Sequence, residues 1–328
     1  MFSSCVTIPS FEKPIDSIPC RKDKSLFQVG KAQFSNGSAT EDIVTVKPQI
    51  LNESVSDYFA LFEGHRNGYT ASRSASMLLH EYLRNELKDA EPCEDMRQSF
   101  ENAYLKTDNH LKAVSVDRGT SAVALLLRKH DDTIRLHFSN VGCSRAILCR
   151  GNTALCLTQD HTISNPDEKS RLEQCNAHMQ TSNRIRQLIP STCAIGDHLL
   201  KSWVTSRPHY AEYDLTQQDS FIVCMTRNMS GVISDDEVLA LSAACSAQDL
   251  SDRLVSEAVA RGARGSLAAL CVRLDWDALG GGSDSGSLKQ GGRRSLRNLK
   301  HSSSWSGSAM TRRISHLWSS SRRHGSLR

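Results

Sequence analysis

The hydrophobic period of this chain changes in blocks, and that excludes a regular alternation of strand and helix. Three strands are predicted first: Gln28 to Phe34, Asp42 to Val46, and Phe59 to Phe62. The cluster Ser35-Asn36-Gly37-Ser38 marks a turn between the first two. From Thr70 to Leu87 the apolar residues Ala71, Ala75, Leu79, Leu83 and Leu87 recur at helical spacing. A second helix is predicted from Cys93 to Val114, with Met96, Phe100, Tyr104 and Leu111 on one side. The period then returns to that of strands at Ala122 to Leu127, Thr133 to Asn140 and Ala146 to Cys149. Asn165-Pro166-Asp167-Glu168 opens a short helix, with proline in the first helical position and acids in the first turn. A strand at Ser220 to Met225, helices from Asp235 and from Ala247, and a strand at Leu267 to Leu274 close the pattern. Strands, a helix pair, more strands, a second set of helices and a last strand read as an α+β layering.

Composition places the boundaries. A hydrophobic content of 39% and a mean hydropathy of -0.40 are low for a chain that folds from end to end. The break falls at Gly280-Gly281-Gly282-Ser283. The last 48 residues hold 14 serines, 10 Lys and Arg, and one acid, Asp284, a net of +9. The first 280 residues carry 30 basic and 35 acidic side chains, a net of −5. Basic character therefore belongs to the tail, and no nucleic-acid-binding core is expected. The expected layout is an extended lead-in over 1–27, with Pro9, Pro14 and Pro19, a folded domain over 28–278, and a disordered Ser/Arg/Gly-rich tail over 279–328.

The 11 cysteines include no C-x-x-C pair and define no zinc or disulfide framework. No apolar run reaches the ~18–20 residues of a membrane span, and Phe2 stands where N-myristoylation needs glycine. The expected location is the cytoplasm, with the nucleus as the alternative.

The stretch Tyr58-Phe59-Ala60-Leu61-Phe62-Glu63-Gly64-His65 reads as a strand that ends on a carboxylate and a glycine turn. A carboxylate there is placed to hold a metal or a proton. On these eight residues alone, a strand followed by a polar turn is the simpler reading.

Other blocks follow in order: Thr40-Glu41-Asp42, Gly119-Thr120-Ser121-Ala122, Asn140-Val141-Gly142-Cys143-Ser144-Arg145-Ala146, Asp160-His161-Thr162 with Asn165-Pro166-Asp167-Glu168, and Ala194-Ile195-Gly196-Asp197. With Phe59 to His65 they resemble the motifs of the metal-dependent serine/threonine protein phosphatases (PPM, type 2C) over roughly residues 28–275. The resemblance implies an α-β-β-α sandwich, two antiparallel sheets flanked by helix pairs. It also implies two-metal hydrolysis, in which two Mn²⁺ or Mg²⁺ ions share a water and hold the phosphate.

Several acids of that pattern are changed here. Glu63 stands for the bridging Asp, ahead of Gly64, with Glu41 and Asp42 nearby in the motif set. Arg227 replaces one metal-binding Asp, and Gly265, in Arg264-Gly265-Ser266, replaces another. Cys143 replaces the Asp of a third-metal position, Gly37 the phosphate-gripping Arg, and Cys193 a further Arg. A guanidinium stays protonated, and within ~4 Å of a dication it would repel the ion by several kcal/mol.

The resemblance therefore implies a pseudophosphatase, with no catalytic residue and with Mn or Mg binding lost or weak. Arg227 either fills the void and pairs with Glu41, Asp42 and Glu63, or points to solvent. The alternative is a weakly active enzyme with a rearranged site built on Glu41, Asp42 and Glu63, with Asp197 as a further carboxylate. The expected partner is a protein, a kinase or a phosphoprotein. In the tail, Arg312-Arg313-Ile314-Ser315 fits a basophilic kinase site at Ser315. Trp305, Met310, Ile314, Leu317 and Trp318 form one apolar stripe if a helix forms, suited to a docking groove or an anionic membrane, while phosphorylated Ser315 suits a phospho-reader. A solvated tail is the plain alternative.

Overall fold

The structure is a computed structural model that describes residues 26–35, 40–89, 95–115, 117–130, 133–175, 191–243 and 245–279. Gly37, Ser315 and the rest of the tail lie outside the described residues.

The expected sandwich is present. In chain order the elements begin β1 (Phe27–Phe34), β2 (Ile43–Lys47), β3 (Ser56–His65), α1 (Tyr69–Asp89), α2 (Met96–Val114), β4 (Gly119–His130), β5 (Thr133–Val141) and β6 (Arg145–Arg150). They continue β7 (Thr153–Cys156), α3 (Pro166–Gln174), β8 (Ile195–Gly196), β9 (His209–Leu215), β10 (Asp219–Met225), α4 (Arg227–Ser230), α5 (Asp235–Ser242), α6 (Ala247–Ala260), β11 (Leu267–Leu274) and α7 (Trp276–Leu279). One sheet runs β1-β11-β10-β6-β7 and the other β2-β3-β4-β5-β9, with β8 against β4.

Strand β3 shows why the layers form. Its residues from Ser56 to Phe62 are all buried, because alternate side chains enter two different cores. Phe59 and Leu61 join Val123, Leu125, Leu148 and Ile222 between the sheets. Tyr58, Ala60 and Phe62 pack against Ala75, Leu79, Phe100 and Tyr104 of α1 and α2. On the far side, Val223 and Cys271 meet Leu250 and Leu254 of α6 and Val238 of α5. Each large apolar side chain buried in this way contributes about 1.5–3 kcal/mol.

Helix α2 begins at Met96 with Asp95 as its cap, the Asp95 carboxylate accepting from the Arg97 N–H at 2.9 Å. The expected start at Cys93 lies outside the described residues. Besides the two-residue β8, two strands escaped the sequence reading, β7 and β9. Both lie at sheet edges, and β9 alternates through His209, Glu212 and Asp214 with only Tyr210 and Leu215 buried. Such a strand lacks the apolar run that marks an interior one.

Candidate functional site: a carboxylate pocket at the sheet ends

The candidate site forms where one end of each sheet converges. In the β2–β3 register Ile43 lies opposite Phe62, which brings Asp42 and Glu41 up beside Glu63. From the other sheet, Ser144 precedes β6, Thr226 and Arg227 follow β10, and Ser266 precedes β11.

Glu63 is held by two donors. The Ser144 hydroxyl donates to its Oε2 at 2.5 Å, and the backbone N–H of Arg227, the first residue of α4, donates to the same oxygen at 3.0 Å. The Arg227 side chain is exposed and makes no ion pair among the described residues. Arg227 thus serves Glu63 through its peptide group, and its guanidinium makes no ion pair with Glu41, Asp42 or Glu63.

Glu41 ties the neighbouring loops together. Its Oε2 accepts from the Gly68 N–H at 2.9 Å, its carbonyl accepts from the Ser72 hydroxyl at 2.5 Å, and its N–H donates to Ser266 Oγ at 3.2 Å. Gly64 makes this approach possible, since a Cβ there would lie 2.7 Å from the Glu41 carbonyl oxygen.

Asp42 stands apart. It is 1% exposed, and neither carboxylate oxygen has a hydrogen-bond partner. Burial, then the charges of Glu63 and Glu41, push its carboxyl up to about 8. The Gly64 N–H pulls weakly the other way without forming a hydrogen bond of normal geometry.

Cys143, Gly265 and Cys193 each have surroundings of their own. Burial pushes the Cys143 thiol up to about 11 against the opposing charge of Arg227, so it is neutral at physiological pH. Gly265 has a φ of +85°, where L side chains are strained, and a Cβ would sit 3.1 Å from Asn228 Nδ2. Cys193 shares the Glu168 carboxylate with Arg171: its thiol donates to Oε2 at 3.6 Å, while Arg171 donates at 2.8 and 3.2 Å.

A second buried acid, Asp197, belongs to a different cluster. Its Oδ2 lies 2.5 Å from His65 Nε2, and the Arg66 guanidinium donates to Oδ1. Burial raises this carboxyl, but the hydrogen bond and charge of His65 and the charge of Arg66 outweigh it and hold the pKa below the usual carboxylate range. Arg66, Asn67 and Asp197 all have positive φ, an accumulation of backbone strain that the surrounding bonds hold in place. The sequence reading missed Arg66. Its signal was its place directly after Gly64-His65.

Two hard dications bridged by one carboxylate need several further carboxylate oxygens. Among the described residues no group of three or more His, Cys, Asp or Glu side chains is placed to hold a metal ion. Glu63 Oε2 already accepts two hydrogen bonds, and Cys143, Arg227 and Gly265 offer no anionic oxygen. The donor set does not fit a metal pair; the two oxygens of Asp42 are its one unengaged carboxylate.

The two-sheet sandwich with acids at its sheet ends is the architecture of a phosphatase class. The family model for protein phosphatase 2C matches residues 32–267. The chain belongs to the protein phosphatase 2C family. It is 28% identical over 213 residues to probable protein phosphatase 2C 14 of Arabidopsis thaliana, covering 64% of this chain and 46% of the relative. It is 30% identical to an Arabidopsis thaliana protein kinase and PP2C-like domain-containing protein, covering 71% of this chain and 37% of that one. The chain spans about half the length of the first curated relatives it matches. Among solved structures, a C. elegans sex determining protein superposes with a TM-score of 0.69 at 18% identity, over 78% of this chain and 68% of that one. A serine-threonine phosphatase 2C from Toxoplasma gondii gives 0.62 at 18% identity, over 76% and 95%. Among the described residues no helix is long and apolar enough to cross a membrane.

Proposed function

We propose that this chain is a catalytically inactive member of its family that acts as a protein-binding scaffold or regulator in kinase and phosphatase signalling. The observation that carries the reading is the state of Glu63, whose Oε2 accepts from Ser144 and from the Arg227 peptide. A buried neutral thiol, an exposed guanidinium and a left-handed glycine at the other replaced positions support it. The relative that joins a protein kinase to a PP2C-like domain supports a place in kinase signalling. On this reading the partner is a kinase or a phosphoprotein, and the tail, with Ser315, is a regulated docking segment. The chain works in the cytoplasm or the nucleus.

The runner-up is a weakly active metal-dependent serine/threonine phosphatase using Glu41, Asp42 and Glu63. It draws on the unpartnered Asp42 oxygens. One experiment separates the two. The full chain is assayed against a phosphopeptide and an aryl phosphate while Mn²⁺ is titrated. A flat response is expected. Turnover that rises with Mn²⁺ and disappears in Glu63→Ala would overturn the scaffold reading.

A further inference from the structure

Arginines in folded proteins are normally engaged, because the guanidinium presents five donors in a rigid fork. Nearly all those described here follow the rule. Arg66, Arg84, Arg128, Arg135, Arg145, Arg150, Arg171, Arg207 and Arg261 meet carboxylates. Arg73, Arg97, Arg118, Arg253 and Arg273 donate to a hydroxyl or to backbone carbonyls. Among the described residues, Arg227 and Arg264 are the two whose guanidinium groups make no hydrogen bond, ion pair or ring contact, and both are exposed.

These two do not lie at random places. Arg227 follows β10 and Arg264 precedes β11, and the two strands are antiparallel neighbours. Their loops meet where Asn228 Nδ2 lies 3.1 Å from the position of a Gly265 Cβ. Both loops border the acids: the Arg227 N–H donates to Glu63 Oε2, and Ser266, two residues after Arg264, accepts from the Glu41 N–H.

We propose that Arg227 and Arg264 form a grip for the phosphoryl group of a phosphorylated peptide that works without a metal ion. The chemistry is that of charge-assisted hydrogen bonding: two planar forks facing a dianion with three acceptor oxygens. Glu41 and Glu63 stand beside the grip, and the first 280 residues carry a net charge of −5. An extended anionic surface, a membrane or a nucleic acid, would meet that repulsion across its whole face. A single phosphoryl group on a peptide meets the two arginines while presenting far less anionic surface to that repulsion. The proposal rests on the reading of an inactive phosphatase fold and names the partner class its pocket takes.

The test uses the full chain, so that the arginine-rich tail is the same in every sample. Fluorescence anisotropy is followed with one labelled peptide in phosphoserine and unphosphorylated forms, in EDTA and again with Mn²⁺. Binding is expected to depend on the phosphate, to be the same with and without Mn²⁺, and to weaken about tenfold in each of Arg227→Ala and Arg264→Ala. Arg227→Lys is expected to recover only part of the loss, since an ammonium cannot fork. Equal binding of both peptide forms overturns the proposal, as does unchanged phosphate-dependent binding in the double alanine variant with native circular dichroism. Capture by phosphatidylserine vesicles that is lost in the double variant, without phosphopeptide binding, also overturns it. Mn²⁺-dependent hydrolysis of the peptide, with arginine-dependent binding intact in EDTA, would sink the inactive reading and leave the grip standing. Absence of both hydrolysis and binding would sink the grip alone.

Discussion

Asp42 and Asp197 are equally buried acids at the same end of one sheet, and their surroundings treat them in opposite ways. Asp42 is 1% exposed with no hydrogen-bond partner, beside two further carboxylates, and its carboxyl is pushed up to about 8. Asp197 is 0% exposed, yet His65 and Arg66 hold it ionised below the usual range. Desolvation disfavours the charge in both. The sign of the outcome is set by whether cations or anions stand within reach. Within one fold, one cluster of acids has been given internal cations and the other lacks them.

The largest effect that would break this contrast is expected at Asp197. Asparagine keeps the shape and tolerates the left-handed backbone, but it strips the counter-charge from Arg66 and the carboxylate partner from His65. Asp197→Asn should lose about 3 kcal/mol in denaturant unfolding at neutral pH. The loss should shrink in acid. A carboxyl with a depressed folded pKa contributes stability above its unfolded pKa, and that contribution disappears as pH falls through the folded value. An unchanged midpoint at neutral pH would show that the cluster is not an ion pair.

Next in size is Glu63→Ala. It leaves the buried Ser144 hydroxyl and the Arg227 amide without their acceptor, a loss of about 2 kcal/mol by the same unfolding measurement. If stability held, the capping role of Glu63 would be wrong.

Asp42→Asn should go the other way. Between about pH 4 and pH 8 the folded chain binds a proton at Asp42 that the unfolded chain does not. Stability from this group is therefore present below the unfolded pKa and declines as pH rises through the folded one. Asparagine does not titrate, so the variant should overtake the native chain as pH rises, by on the order of 1 kcal/mol at pH 8. Parallel stability curves for the two proteins across that range would refute the raised carboxyl.

The smallest expected effect is that of Arg227→Ala on folding. Its exposed, unpaired guanidinium should matter by less than about 0.5 kcal/mol in thermal or chemical unfolding. A large loss would revive a guanidinium buried among the carboxylates.

Much of this was legible in residue order. The block pattern of periods gave the α+β layering, because strands that feed two cores read as short apolar runs and helices as spaced ones, and the family resemblance implied the sandwich. The motif blocks pointed to these sheet ends, and departures from the resembled pattern drew attention to Arg227, Gly265 and Cys143. Edge strands β7 and β9 were not legible, because half-solvated strands carry too little apolar signal.

What the residues determined alone is therefore local: which segments are strand or helix, and which family's blocks they carry. The tertiary structure decided the partners. Glu63 meets the Arg227 peptide across 164 positions, and Arg66 reaches Asp197 across 131. It also decided that Arg227 acts through its backbone, that Gly265 sits in a left-handed conformation, and that two equally buried aspartates differ in charge. Periodicity reports what a side chain's nearest turns and strands require. The charge of a buried carboxyl is fixed by groups that only the folded chain brings within a few ångströms.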